Sequence, residues 1–508
     1  MPHTLVPPPR RPGKRRLATV RGQTRLLRVK LRSKTLMAIA GVAMVVLSGC
    51  GGMVDGKPTS GLYNPNRVGG MAVTEGPSGV RPNSPPPTGT VEGTDNGDID
   101  KLALLSVNDL EDYWHENYSP VLPGTFTPVS GLQSYDSEVP GDMVCGNDTY
   151  EFANAMYCFE SRIIAWDRGV LLPVAQKFFG EMAVNGVLAH EYGHALQMMA
   201  NLINRRTSTL VAEQQADCFA GDYLRWVAEG NSTRFQMSTG EGLNYVLAGL
   251  LVLRDPLLTV FDNPDDGHGT ALERISAFQL GFTSGVSACA GIDEDEIAKR
   301  NGDLPESTKV DVTFGTGGDV EIDEQVLTDL MEVLGVVFSP SDPPKLSTDS
   351  SDCPDAEDTP PASYCPSDNT IYVDMAALQE LGTPANEANF VLLQGDNSAL
   401  SVVTSRYALA LQHERGMDMR GAEVGLRTAC LTGVAQRAMS EELEVPSGRG
   451  LYLSAGDIDE AVAGLLSNGL AASDVDGGTV PAGFTRIVAF RSGVVNGDAE
   501  DCYTRFDQ

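Results

Sequence analysis

The sequence predicts a mainly helical α+β protein built twice in tandem, with a small sheet in each half. Two long helix-compatible runs, around residues 188–199 and 209–229, are joined by a turn containing Asn204-Arg205-Arg206. Short strand-like segments stand at Arg162–Trp166 and Asn369–Val373. Landmarks of the first half also recur in the same order 207 to 215 residues later. At 508 residues the chain exceeds one ordinary core, so two or three domains are expected.

From the N-terminus, the segments expected are an export signal over 1–50, a tether over 51–98, a first domain over 99–292, an acidic linker over 293–319 and a second domain over 320–508. A basic stretch from Arg10 to Lys34 precedes a short apolar run from Leu36 to Leu47. That run is too short for a comfortable membrane span. It ends in Leu47-Ser48-Gly49-Cys50, which resembles the bacterial lipobox. The resemblance implies cleavage before Cys50, a diacylated Cys50, and anchoring of an extracytoplasmic protein to the bacterial cell membrane. A plain cleaved signal and an uncleaved anchor are the alternatives. The Gly, Pro, Ser and Thr of residues 51–98 read as a flexible tether. Residues 51–508 keep 26 of the 37 basic residues and all 68 acidic ones, a formal charge of −42. That charge argues against binding nucleic acid or anionic lipid through electrostatics.

The chemistry concentrates in His190-Glu191-Tyr192-Gly193-His194. Residues four apart share a helix face, so both imidazoles can grip one zinc ion, with Glu191 beside it as general base. The apolar neighbours Val187, Leu188, Ala189, Ala195 and Leu196 argue against a merely solvated face. Nineteen residues beyond His194, Glu213 opens Glu213-Gln214-Gln215-Ala216-Asp217 on the second helix. Thr207, Ser208 and Thr209 suit its N-cap, and Gly230 suits its stop. Glu213 would complete a His-His-Glu set with one open position. Asp217, one turn on, could accept the free ring N–H of a ligand histidine. Glu213 as an ordinary surface charge is the bland alternative.

At these residues the chain resembles the neutral zinc metallopeptidases of bacteria, which have gluzincin-type sites. Met156-Tyr157-Cys158 with Ile163-Ile164 precedes the zinc helix, as a strand does in that family. Ala212 through Gly221 carries the third ligand, and His268-Gly269-Thr270 with Arg274-Ile275 closes the unit. The likeness spans roughly residues 101–292. It implies a zincin-like fold, one zinc ion held by His190, His194 and Glu213, Glu191 as catalytic base, and Asp217 behind a ligand. It leaves the substrate open. His268 is a candidate donor to a tetrahedral oxyanion, with a structural loop residue as the alternative. His115, beside Trp114, reads as part of a packing helix.

The repeat extends the reading. Tyr157-Cys158, Ile164 and Asp167 recur as Tyr364-Cys365, Ile371 and Asp374. Leu188 through Gln197 aligns with Val403 through Gln412, Ala216 through Gly221 with Thr428 through Gly433, and Arg274 through Phe278 with Arg486 through Phe490. Setting Cys50 aside, eight cysteines remain, in matched spacings of 13 and 12 and of 71 and 72 residues. In an oxidising compartment these predict bridges Cys145–Cys158, Cys218–Cys289, Cys353–Cys365 and Cys430–Cys502, free thiols being the alternative. In the second half Ser405, Arg406 and Leu409 replace His190, Glu191 and His194, while Gly425 and Ala429 replace Glu213 and Asp217. The second copy is therefore expected to be catalytically degenerate, left to packing, substrate binding or partner docking. The expected function is an extracytoplasmic, membrane-anchored zinc metalloendopeptidase acting on a peptide or protein substrate. A non-catalytic binding or scaffold lipoprotein with vestigial or structural zinc, and a zinc amidase acting on cell wall, are the alternatives.

Overall fold

Helices dominate, and each half repeats one order of elements. In the first half, α1 (Asp98–Asn117) precedes strands β1 (Gly131–Tyr135), β2 (Ala155–Cys158) and β3 (Ile163–Asp167). Then come α2 (Leu171–Phe179), α3 (Glu181–Ala200), α4 (Thr209–Ala228), α5 (Glu241–Val252), α6 (Ala271–Ser284), α7 (Val286–Ala290) and α8 (Glu294–Asn301). The second half runs α9 (Glu324–Phe338), β4 (Lys345–Ser347), β5 (Ala362–Cys365), β6 (Thr370–Val373) and α10 (Met375–Leu381). It ends with α11 (Asp396–Glu414), α12 (Ala422–Met439), α13 (Ala455–Ser467), α14 (Gly483–Asn496) and α15 (Ala499–Arg505). This computed structural model describes residues 53–54, 57–58, 63–141, 143–252, 269–301, 320–385, 392–441 and 443–506. The export signal, Cys50 and His268 lie outside them.

The sheets share a topology. β3 lies between a parallel β1 and an antiparallel β2, and β6 lies likewise between β4 and β5. The repeated residues hold the same register: Ile164 pairs with Tyr157, and Ile371 with Tyr364. Both strands that were read from sequence form, starting one residue later than expected. α3 and α11 are buried on nearly every face, which makes each the central helix of its half. Asn201, in the left-handed conformation, stops α3. Ser208 occupies the N-cap of α4, although its side chain makes no capping hydrogen bond.

Glycine decides how closely the next layer packs. A methyl group on Gly281 would lie 1.8 Å from the Cys218 carbonyl oxygen, and one on Gly221 would lie 2.2 Å from that of Phe278. α4 and α6 therefore cross backbone to backbone. Gly493 against Cys430, at 1.8 Å, and Gly433 against Phe490, at 2.1 Å, repeat the crossing between α12 and α14.

The halves are fused. Residues 51–508 group as one unit, and the largest apolar core joins Val184, Leu224, Leu247 and Phe278 to Val462, Leu466, Phe484 and Ile487. A second core, around Leu330, Tyr364, Ile371 and Leu409, belongs to the second half alone. Two segments differ from the sequence reading. From Tyr63 onward the expected tether is built into the fold: Gly79–Val80 pairs with Phe235–Gln236, and Thr74 bonds Thr239. The Arg67 carbonyl accepts the Thr485 hydroxyl at 2.8 Å, so this strap touches both halves. Composition missed it because short pairings, hydroxyl bonds and a few scattered apolar side chains, among them the buried Val68, hold it in place of a continuous apolar run. Within the expected linker, α8 buries Ile297 and Arg300, and Arg300 bonds Gln214.

All four expected cysteine pairs are bonded, with Cα–Cα separations of 5.3 to 5.6 Å. Cys218–Cys289 closes 71 residues and ties α4 to α7. Replacing both cysteines by serine is expected to cost about 2–5 kcal/mol, more than the same change at Cys145–Cys158, which closes only 13 residues. Chemical denaturation of the two variants checks this, and equal midpoints would contradict it.

Candidate metal centre

Two helices build the centre. α3 presents His190 and His194 one turn apart, and α4 presents Glu213 and Asp217 with the same spacing. The helices approach closely because position 193 is glycine: a methyl there would sit 2.7 Å from the Ala216 Cα. His190 Nε2 lies 3.0 Å from Glu213 Oε2, and His194 Nε2 lies 3.5 Å from Glu213 Oε1. One ligand atom from each residue falls within 4.8 Å of the others, and all three side chains are buried. Bonds of about 2.1 Å in a tetrahedral site require donors roughly 3.4 Å apart, so two nitrogens and a carboxylate oxygen at these separations suit zinc.

The outward-facing imidazole nitrogens are spoken for. His190 Nδ1 lies 2.7 Å from Asp217 Oδ1, and His194 Nδ1 lies 3.0 Å from Gln197 Oε1. In both, Nε2 is the nitrogen that could face a metal ion. Asp217 is anchored in turn by Arg274 of α6, whose Nε and Nη2 each donate to it at 2.8 Å. Gln197 donates its amide to the Ala212 carbonyl, tying the second histidine to the start of α4. Sequence reasoning missed Gln197 and assigned Arg274 only to a motif. Their signals were the i, i+3 spacing from His194 and an arginine retained in both halves.

The electrostatics belong to a proton-loaded ligand set. Burial pushes the His190 imidazole down, but Asp217 and Glu213 outweigh it and raise its pKa to about 10. Burial also opposes the rise at His194, which Glu213 drives. Burial would lift the two carboxylates, yet Glu213 is held well below its usual range by the histidines, and Asp217 is held at about 2 by Arg274 and His190. A bound cation would have to replace protons held between the imidazoles and carboxylates.

Glu191, His190 and Arg274 border a cavity of 280 Å³ whose other walls are largely apolar. The half-exposed ring of Phe159 lies 6.3 Å from that of His194. His115 lies exposed on α1 beside the buried Trp114, apart from this cluster. The expected donor His268 falls outside the described residues.

At the matched positions the second half holds a different arrangement. Arg406, where the first half has Glu191, is fully buried, donating Nε to the Ala362 carbonyl at 2.7 Å and Nη1 to Ser473 Oγ at 2.8 Å. Burial pushes its pKa down to about 10. Gly425, in place of Glu213, packs so tightly that a methyl would lie 2.5 Å from the Ala472 carbonyl oxygen. Arg486, the counterpart of Arg274, donates to the carbonyls of Val480 and Leu465. A separate buried group, Asp396, Asp457 and Glu460, also lies within 4.8 Å. Its carboxylates serve backbone amides: Val320 for Asp396, Asn397 for Glu460 and Ser454 for Asp457.

No protein-family model, curated protein or solved structure matches the chain.

Removing the support behind a ligand typically lowers metal affinity 10–100-fold. Asp217→Asn is therefore expected to weaken zinc binding by about that factor while the fold persists. Competition against a chelating indicator, with circular dichroism alongside, checks it; unchanged affinity would remove Asp217 from the site.

Proposed function

We propose that this protein is a zinc metallopeptidase of the kind found among the bacterial neutral zinc metallopeptidases, extracytoplasmic and anchored through Cys50. The observation that carries the reading is the convergence of His190, His194 and Glu213 beside Glu191 at the edge of a cavity. His190, His194 and Glu213 would hold one zinc ion, whose chemistry when bound is to polarise a scissile carbonyl and acidify water. Glu191 takes the proton of the attacking water on its carboxylate and delivers it to the departing amine. Asp217 keeps the His190 Nδ1 proton in place, and Arg274 keeps Asp217 ionised. The cavity excludes water and receives substrate. The second half, lacking this donor set, takes no part in the chemistry. Among the described residues no helix is long and apolar enough to cross a membrane. The lipobox-like Leu47-Ser48-Gly49-Cys50 supports the anchoring.

Glu191→Gln, which keeps the shape but cannot take a proton, is expected to lower peptide hydrolysis about 10²–10⁴-fold without lowering zinc content. Elemental analysis should find one zinc per chain in wild type, and chelation followed by zinc should abolish and restore turnover. Full activity in Glu191→Gln, or a folded wild type that takes up no zinc, would overturn the reading. A zinc-dependent hydrolysis confined to cell-wall amides would move it to the amidase class.

A further inference from the structure

The cavity beside Glu191 is large and one-sided in character. Among the described residues, four of its lining side chains are polar, namely Asn154, His190, Glu191 and Arg274; the others are aliphatic or aromatic, including Val170, Leu171, Phe179, Val246 and Leu250. A dry cavity of about 150 Å³ accepts a benzene ring, so 280 Å³ accommodates a phenyl or larger apolar group. A mainly apolar pocket with a few polar groups at one edge is built to take an apolar side chain while its backbone meets those groups.

Among the described lining residues, Leu393 comes from the second half. It precedes α11 and packs partly buried against the core that the halves share. The second half also fixes the helices that carry the other walls. Asp459 of α13, itself buried, accepts the backbone N–H of Ala271 at 3.1 Å and of Leu272 at 3.4 Å. It thereby satisfies free donors at the N-terminus of α6, where a carboxylate also meets a favourable dipole. α6 carries Arg274 and Phe278, both at the cavity. Gln279 of α6 bonds the Phe484 carbonyl at 3.1 Å. On α5, which carries Val246 and Leu250, Asn244 accepts the Gly483 N–H at 2.9 Å. The second half thus reaches this pocket through Leu393 and holds two of its walls by polar contacts.

We propose that the second half completes the substrate pocket of the first, and that Leu393 sets how bulky an apolar substrate side chain the pocket accepts. The inference rests on the peptidase reading for its substrate class, a peptide bearing a large apolar residue next to the scissile bond. The second half serves this role without the first half's donor set, because the contacts involved lie on α13, on α14 and ahead of α11, away from Ser405, Leu409 and Gly425.

The test uses the full zinc-loaded chain carrying Glu191→Gln, so that binding is read without turnover. The probes are blocked peptides identical except for one residue, which is Ala, Leu, Phe or Trp. Calorimetry should show the Phe peptide binding at least tenfold tighter than the Ala peptide, since each buried methylene is worth a severalfold change. Leu393→Trp should shrink that Phe-to-Ala ratio at least fivefold, and Leu393→Ala should move the preference from Phe towards Trp. Both variants are checked by circular dichroism, and their opposite directions separate a pocket effect from damage to the fold. A ratio indifferent to both substitutions, or no side-chain preference at all, overturns the proposal. Turnover of the same peptides by the chain with Glu191 intact separates the two readings. Size preference that follows residue 393 without any hydrolysis sinks the peptidase reading and sustains the pocket. Hydrolysis indifferent to residue 393 does the reverse.

Discussion

The candidate centre depends on one buried carboxylate. Asp217 is fully enclosed and meets three donors, two from Arg274 and one from His190. Through these it joins α3, α4 and α6, the helices that carry the histidines, Glu213 and a wall of the cavity. An ion in such a place costs several kcal/mol of lost hydration unless its partners are held in good geometry. The geometry is supplied by backbone contacts: Gly193 lets α3 approach α4, and Gly221 and Gly281 let α4 approach α6. The Cys218–Cys289 bond, one residue beyond Asp217, fixes the same helix to α7.

The second half reads as a natural comparison. It keeps the sheet topology, the glycine crossing and the paired cysteines, and it keeps the arginine at 486. It has Ala429 where Arg274 meets the carboxylate of Asp217, and Arg486 donates instead to main-chain carbonyls. Arg406 fills space at the position matching Glu191 and bonds Ala362 and Ser473. Gly425 lets the Leu470–Ala472 turn lie against α12, occupying the direction that a Glu213-like side chain would need. Framework contacts and the contacts of the candidate centre are therefore separable: the first set persists without the second.

The division of labour between halves follows from where they meet. α5 and α6 of the first half join α13 and α14 of the second in one apolar core, with Asp459 and Asn244 placing polar bonds across it. A buried hydrogen-bonded junction of this kind resists sliding, because each misplaced donor would be left unsatisfied. The strap from Tyr63 to Gly97 adds bonds to both halves, among them Arg225 to the Gly69 carbonyl and Thr485 to that of Arg67.

The sequence by itself determined much of this protein. Helix periodicity put His190 with His194 and Glu213 with Asp217, because side chains four residues apart share a face whatever surrounds them. Matched cysteine spacing foretold four pairs, and the collinear repeat foretold two sheets of one design. Tertiary structure decided what lies between distant segments. Gln197 already stands three residues from His194 on α3, but its tie to Ala212 and the support that Arg274 gives Asp217 exist only once α4 and α6 fold over α3. The strap escaped notice because its bonds and its few apolar residues, such as Val68, find their partners only in distant segments, which composition does not register. The joining of two apparent domains through one core, and the entry of Leu393 into a cavity lined by the other half, depend on helix faces meeting across more than a hundred residues. Local pattern records which face of a helix is apolar, but which partner buries it is settled by packing alone.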